Sequence, residues 1–387
     1  MLWSAQLRGG MSLTNFFYVS LLYQGGFAMI IAVLKEVKSR EGRVCLIPAN
    51  IKSLVDAGHT VLVQKNAGVL AGFADEMYIK EGAKIVAETQ ELIARSELVV
   101  KVKEPTIEEV KMMRKGQMFF GYLHLAAIPD TLRAILDQQI IALSFETLQL
   151  NDGSLPLLAP MSEIAGKLAT QNGAHFLRFD QGGRGVLMGG TRTVKPARVL
   201  VLGGGVVGQN AADIAIGMGG DTTILDNSTE RLDQLKIKYG NRCHLMLSTP
   251  DTIERLAIES DLIVGAVLTV GEKAPKLVTE DIVKKMRHKS VIVDVSVDQG
   301  GCVETSEVTT HENPIVIKHN ILHYGVANMP GSVPVTATLA LNNESFPYIK
   351  RLADLGIEQV CKDFPEMAKA INCKLGEISH AGLRNIL

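Results

Sequence analysis

No surplus of charge of either sign marks this sequence: 40 lysines and arginines stand against 41 aspartates and glutamates. That balance removes the electrostatic case for a nucleic acid or an anionic membrane surface as partner, because both depend on an excess of basic side chains. Long apolar runs are missing too. The apolar stretch near the start, Phe16 to Tyr23, falls far short of the roughly 20 residues that span a bilayer, so no membrane anchor is expected. Cysteine is sparse. Cys45, Cys243, Cys302, Cys361 and Cys373 are widely spaced with no C-x-x-C pair, which spells out neither a zinc knuckle nor a dithiol motif. Free thiols in a reducing cytoplasm, with no bound metal, are the reading that follows.

Residues 1–28 are unlike what comes after them. Arg8 ahead of the apolar stretch and Gly25-Gly26-Phe27-Ala28 behind it would suit a poor signal peptide. Yet Met29-Ile-Ile-Ala-Val-Leu34 opens a good strand at a methionine, so the segment is read as an upstream extension, from a start codon called too early, that adds nothing to the fold.

What the sequence does have is a globular composition, 47% hydrophobic and 21% charged, over a length too great for one ordinary core. Two domains are therefore expected. The strongest local signal runs from Arg198 to Asp226. Arg198-Val-Leu-Val-Leu202 has the apolar, β-branched character of a buried parallel strand and leads directly into Gly203-Gly-Gly-Val206-Val207-Gly208. Gly203, Gly205 and Gly208 fit G-x-G-x-x-G: the first permits the tight turn, the second admits a pyrophosphate against bare backbone, and the third lets the following helix pack close. The helix through Gln209–Ile216 would turn its N-terminal amides and dipole toward the phosphates. A second strand, Asp221 to Leu225, ends on Asp226, about 20 residues past the glycines, where a dinucleotide fold places its ribose acceptor. A carboxylate there repels a 2′-phosphate, which favours NAD over NADP. A glycine turn alone serves packing as well as binding; here strand, helix, second strand and terminal acid agree.

From Met29 the chain alternates short apolar strands with helical stretches, the pattern of an α/β fold with a parallel sheet covered on both faces. Strands are expected at Ile30–Leu34, Thr60–Gln64, Ala83–Val86, Leu98–Val102, Met118–Leu123 and Ile140–Ser144, with a helix from Pro48 to Ala57 closed by Gly58. This unit lacks the glycine fingerprint. Ligands of such sheets gather beyond the carboxyl ends of strands, and three basic groups stand there: Arg43 after the first strand, Lys103 after the fourth and His124 after the fifth. Each alone reads more simply as a loop charge or a satisfied histidine. Converging on one sheet edge, they would make a pocket for a small carboxylate.

Asn151-Asp-Gly-Ser154 is a turn and Pro156–Pro160 a linker, after which Ser162 is expected to cap a helix over Glu163–Phe179. Gln181 to Gly190 is glycine-rich enough for a mobile loop and matches no phosphate-binding lysine motif. Further strands are expected at Leu262–Gly265, Val291–Val295 and Ile315–Ile317. Asp298 and Asn328 follow strand ends where a nicotinamide and its substrate would lie, and closing helices, among them Pro347 to Leu355 ended by Gly356, should pack back on the first domain.

Taken together, several segments resemble the alanine dehydrogenases and, more distantly, the NAD-binding part of proton-translocating transhydrogenase. They are Lys35-Glu36, Gly42-Arg-Val44, Lys101-Val-Lys-Glu-Pro105, Tyr122-Leu-His-Leu-Ala126, Gly153 to Glu163, Val201 to Gly208, Ala274-Pro-Lys-Leu277, Val297 to Cys302 and Val326-Ala-Asn-Met-Pro330. Only residues 1–28 fall outside the resemblance. It implies two Rossmann-like doubly wound domains, with mainly parallel sheets, around a central cleft. The substrate domain would comprise 29–160 plus 332–387, the NAD-binding domain 161–331, and the assembly a cytoplasmic hexamer. It implies reversible oxidative deamination of L-alanine to pyruvate and ammonium with NAD. Carried over by position, Arg43 and Lys103 would bind the substrate, His124 would be the acid/base, and Asp298 would assist proton transfer. Asp226 would hold the adenosine ribose, with Ser162, Val206, Val207, Arg231, Ser248, Val267, Leu268, Asp298 and Asn328 near the cofactor. Gly121 departs from a frequent threonine, and Gly325 from a frequent cysteine.

The chemistry suits these roles. Hydride loss from an amino acid leaves an iminium that needs water and proton transfer near neutrality, for which an imidazole serves. A guanidinium grips a carboxylate in two places, and a lysine polarises the neighbouring oxygen. Competing readings are a saccharopine-type dehydrogenase and a stand-alone NAD(H)-binding subunit serving a membrane partner. The joint presence of Arg43, Lys103 and His124 argues against the latter, because cofactor binding alone needs no carboxylate pocket.

Overall fold

A computed structural model describes residues 28–267 and 274–387. The expectations for residues 1–27 and for Leu268 therefore lie outside the described residues. Two sheets organise the rest. The first holds β1 (Ile30–Val33), β2 (Thr60–Gln64), β3 (Lys84–Val86), β4 (Leu98–Val100), β5 (Met118–Gly121) and β6 (Ile141–Ser144). The second holds β7 (Arg198–Leu202), β8 (Asp221–Asp226), β9 (His244–Leu247), β10 (Leu262–Gly265), β11 (Val291–Asp294), β12 (Ile315–Lys318) and β13 (Ile321–Tyr324). Two late strands, β14 (Ile371–Lys374) and β15 (Glu377–Ile378), return to the first sheet, whose order is β15-β14-β6-β5-β4-β1-β2-β3. The second sheet runs β12-β13-β11-β10-β7-β8-β9.

All pairings are parallel except β12 with β13, β14 with β6 and β14 with β15. The strands are short, apolar and β-branched because both faces are covered, and side chains alternate between two cores on each sheet. Ile31 and Val33 enter one core and Ala32 the other; Val199 and Val201 face one side of the second sheet and Leu200 and Leu202 the opposite one. In each sheet the chain winds outward from a central strand and then restarts on its other side. The switch lies between β1 and β4 in the first sheet and between β7 and β10 in the second. Ligands of doubly wound sheets bind at such places.

The helix Pro48–Asp56 forms as expected, with proline in its first turn and Gly58 at φ 93° just beyond. Other boundaries moved. The connecting helix spans Ala159–Phe176, so Ser162 lies inside its first turn and does not cap it; Pro160, suited to that turn, sets the earlier start. The C-terminal helix spans Pro334–Asp363 with Pro347 in its interior, and Gly356 (φ 71°, ψ 167°) breaks it. Its Ala337, Leu341, Ile349, Leu352 and Ala353 share one core with β1, β2, β4 and β5. The glycines of 181–190 serve close backbone packing: a Cβ on Gly183 would fall 2.0 Å from the Phe176 carbonyl oxygen, and Gly185 donates to the Leu177 carbonyl at 2.8 Å. Gly121 and Gly325 are equally confined, with a Cβ at 2.3 Å from the Lys101 carbonyl oxygen and 2.1 Å from that of Glu307. Among the described residues no helix is long and apolar enough to cross a membrane.

Candidate active site

Strands β1, β4 and β5 are neighbours, so the loops that leave their carboxyl ends stand side by side and carry Arg43, Lys103 and His124. Arg43 is almost wholly buried, 2% exposed, and Glu41 two residues earlier is its partner. The guanidinium donates from Nε to Glu41 Oε1 at 2.7 Å and from Nη2 to Glu41 Oε2 in a fork. Burial pushes the Glu41 carboxyl up, but the hydrogen bonds and charge of Arg43, with the Asn328 amide, more than reverse this and hold it at about 2. Burial likewise favours loss of the Arg43 proton, and Glu41 outweighs it, so the guanidinium stays charged.

Asn328 reaches this pair from the other sheet. It follows β13 in the left-handed conformation (φ 61°), accepts from Arg43 Nη2 at 2.7 Å and donates to Glu41 Oε2 at 2.9 Å. The resemblance put Asn328 near the cofactor; its side chain spans Arg43 and its counter-ion, joining the two sheets. Met161 completes the cradle, its sulfur taking Arg43 Nη1 at 3.1 Å. A thioether is a weak acceptor, so the Nη1 edge is where an incoming carboxylate gains most.

The Lys103 ammonium makes no hydrogen bond or ion pair among the described residues. Burial first, and the positive charge of Arg43 next, lower its pKa. Arg43, paired with Glu41, and the Lys103 ammonium place two cations where an anion can bind.

His124 stands in the left-handed region (φ 47°), its side chain 45% exposed. Its ring stacks on Tyr122 with centroids 5.9 Å apart and planes within 3°. Glu146, in the turn just after β6, receives the His124 amide at 2.6 Å and lies 3.7 Å from Nδ1. That distance is too long for a hydrogen bond, so the ring is held by its stacking on Tyr122, and Nε2 makes no hydrogen bond among the described residues. The Tyr122 hydroxyl donates to the Leu157 carbonyl, and burial keeps the phenol protonated.

On the second sheet the glycine turn behaves as its sequence implies. Gly203 takes φ 98° where a Cβ would fall 2.7 Å from the Ala266 carbonyl oxygen, across the switch between β7 and β10. A Cβ on Gly205 would meet nothing within 4 Å, whereas one on Gly208 would lie 1.8 Å from the Gly203 carbonyl oxygen. The open cradle at Gly205 and the tight seam at Gly208 fit a pyrophosphate lying on the N-terminus of helix Val206–Gly217. Asp226 ends β8 and accepts from the Gly204 amide at 2.7 Å and the Ser228 amide at 2.9 Å, with lone pairs left for ribose hydroxyls. Arg231, in the first turn of helix Thr229–Tyr239, has its Cγ 3.4 Å from a Cβ built on Gly204, and Ser248 donates its amide to the Asp226 carbonyl at 2.9 Å. The Val267 carbonyl accepts from the Ser296 hydroxyl at 2.7 Å. Ser162 is half-buried beside Met161.

Asp298 is exposed and its carboxylate bonds to nothing among the described residues. The loop that carries it is held by Asp294, fully buried, whose carboxylate takes the amides of Ser296 and Val303 at 3.1 Å each. Sequence reasoning gave no role to Glu41, Glu146, Met161 or Asp294. An acid two residues from a basic strand-end residue was the available signal for Glu41; the others become neighbours only through tertiary packing.

Residues 32–165 match the alanine dehydrogenase/PNT N-terminal domain and residues 169–381 its C-terminal domain. An alanine dehydrogenase of Methanococcus maripaludis is 46% identical over 353 residues, 91% of this chain and 95% of its own. One of Staphylococcus saprophyticus is 46% identical over 360 residues, 93% of this chain and 97% of its own. A solved L-alanine dehydrogenase superposes with a TM-score of 0.89 at 46% identity, covering 92% of this chain and 99% of its own. A transhydrogenase from Sinorhizobium meliloti, at 21% identity and a TM-score of 0.77 over 91% of this chain and 99% of its own, shares the fold. The chain belongs to the alanine dehydrogenase/PNT family.

Proposed function

We propose that this protein is an NAD-dependent alanine dehydrogenase that interconverts L-alanine with pyruvate and ammonium. The observation that carries the reading is the convergence of Arg43, Lys103 and His124 on adjacent strand ends of the first sheet, tied through Asn328 to the second sheet, which carries the glycine cradle. The substrate half would comprise 29–160 with 332–387 and the cofactor half 161–331, a division supported by the core that the C-terminal helix shares with β1, β2, β4 and β5. Assembly as a hexamer and residence in the cytoplasm belong to the same reading.

Nicotinamide, when bound, supplies the two-electron acceptor or donor for the hydride at the substrate Cα. The residues of the chain do the rest. Arg43, kept charged by Glu41, takes the substrate carboxylate on its Nη1 edge, and the Lys103 ammonium holds the neighbouring oxygen, which together point Cα at the second sheet. In the deaminating direction His124 accepts a proton from the water that adds to the substrate iminium. It then returns that proton to the amino nitrogen. As the C–N bond breaks and ammonia leaves, the imidazole takes the hydroxyl proton, so the carbonyl of pyruvate forms, and ammonia picks up that proton to become ammonium. Asp298 would exchange protons at the mouth of the site. Asp226 favours NAD, because its carboxylate repels the 2′-phosphate of NADP.

The test is NADH oxidation by the purified protein given pyruvate and ammonium, with NADPH and other 2-oxo acids in parallel. Turnover with pyruvate, NADH and ammonium is expected. Tight NADH binding with no turnover on any oxo acid would favour a nucleotide-binding subunit instead.

A further inference from the structure

One buried acid beside the site has no part in the reaction just described. Glu36 follows β1 by three residues, is 8% exposed, and accepts the backbone N–H groups of both Val102 and Lys103 on Oε1, at 2.6 and 3.2 Å. Its Oε2 is buried and has no hydrogen-bond partner. Strand β4 ends at Val100, so the ladder no longer satisfies these two amides, and Glu36 takes them over where the chain turns to present Lys103. We propose that Glu36 is a positioning residue for substrate binding: by gripping the Val102 and Lys103 amides it holds the backbone that aims the Lys103 ammonium at the substrate. This rests on the reading of Arg43 and Lys103 as the carboxylate pocket.

A carboxyl group does more here than an amide would. Glu41, Arg43 and Cys45 face it from the loop after β1. From the β4 side it meets Lys101, itself paired with Glu109 at 2.8 Å, and Lys103; Lys38 and Glu104 lie beyond Lys103. Burial raises the Glu36 carboxyl to about 7, with Glu41 adding to the rise and the Lys101 charge and the two amides opposing it. Below that pH the group is neutral and adds no negative charge to those of Glu41 and Glu104 around the pocket cations. Above it a second buried negative charge stands beside Arg43. A substrate carboxylate therefore binds most tightly with Glu36 protonated, and its affinity falls as pH rises through neutrality.

The experiment measures pyruvate binding by calorimetry to the complex with oxidised NAD, which cannot aminate it, for the full chain and for Glu36→Gln and Glu36→Ala, with NADH affinity as control. Glutamine keeps a carbonyl to accept both amides but cannot ionise. Alanine removes the acceptor. Glu36→Ala is expected to weaken pyruvate roughly tenfold or more with NADH affinity unchanged. Glu36→Gln should restore affinity and abolish the weakening that the natural chain shows between about pH 6 and 8. If Glu36→Ala fails to fold, the glutamine variant decides alone by its affinity and its flat pH profile. An unchanged pyruvate affinity in the alanine variant, or a glutamine variant that binds poorly or keeps the natural pH profile, overturns the inference. A natural chain that binds NADH but no pyruvate would overturn the functional reading along with it.

Discussion

Arg43 carries its charge where water hardly reaches, and Glu41 makes that tolerable. Removing one partner of a buried pair strands the other, at a cost of about 3–5 kcal/mol. Arg43→Ala should therefore lower the thermal midpoint as well as raise the Michaelis constant for pyruvate, and Arg43→Lys should recover more of the stability than of the affinity, since an ammonium cannot reproduce the fork. Unaltered pyruvate kinetics in Arg43→Ala would remove the residue from the site. The pair also sets an acid limit. Glu41 is held near 2, below its ordinary 4.5, so its contribution to stability is complete above about pH 4.5 and is lost as pH falls toward 2. Glu41→Gln should flatten that part of an acid-unfolding curve followed by circular dichroism. For His124→Ala, turnover should fall on the order of a hundredfold or more while NADH still binds; loss of NADH binding would make the residue structural.

The glycine turn shows how one element divides its labour among residues of the same kind. Gly205 has a compatible φ of −70° and open space beyond it, so Gly205→Ala should leave the fold intact and weaken NADH binding, because the added methyl occupies the phosphate cradle. Gly208 seals helix against strand. Gly208→Ala drives a methyl into the Gly203 carbonyl and should cost about 1–3 kcal/mol of stability before any effect on binding, read from urea denaturation. Equal behaviour of the two variants would refute the division. At the end of the same unit, Asp226→Ala should relax the preference for NADH over NADPH, compared as ratios of kcat/KM.

The two halves of the molecule meet through the Asn328 bridge, through Met161 on the connecting helix, and at the surface through Arg40 with Glu312. The C-terminal helix shares the core of the first sheet. Leu352→Ala should cost about 2–5 kcal/mol and lower the urea midpoint followed by pyruvate binding more than that followed by NADH binding. Equal shifts would mean that the halves unfold as one.

The alternation of short β-branched runs with helices, the strand–glycine–helix turn and the acid that ends β8 were all legible along the chain, because each depends on near neighbours. The β12–β13 hairpin was not: its turn uses His319 and Asn320 at φ 52° and 60° with no glycine to announce it. Edge strand β9 shows a half-exposed pattern without clear alternation, and β14 joins the first sheet only after the chain has returned across the molecule. Likewise the sequence placed Arg43, Lys103 and His124 at strand ends, while tertiary structure supplied Asn328, Glu146 and Glu36 as their partners. Local pattern determines an element through interactions a few residues apart. Partners brought together across 285 residues, as Arg43 and Asn328 are, exist only once both sheets have folded and met.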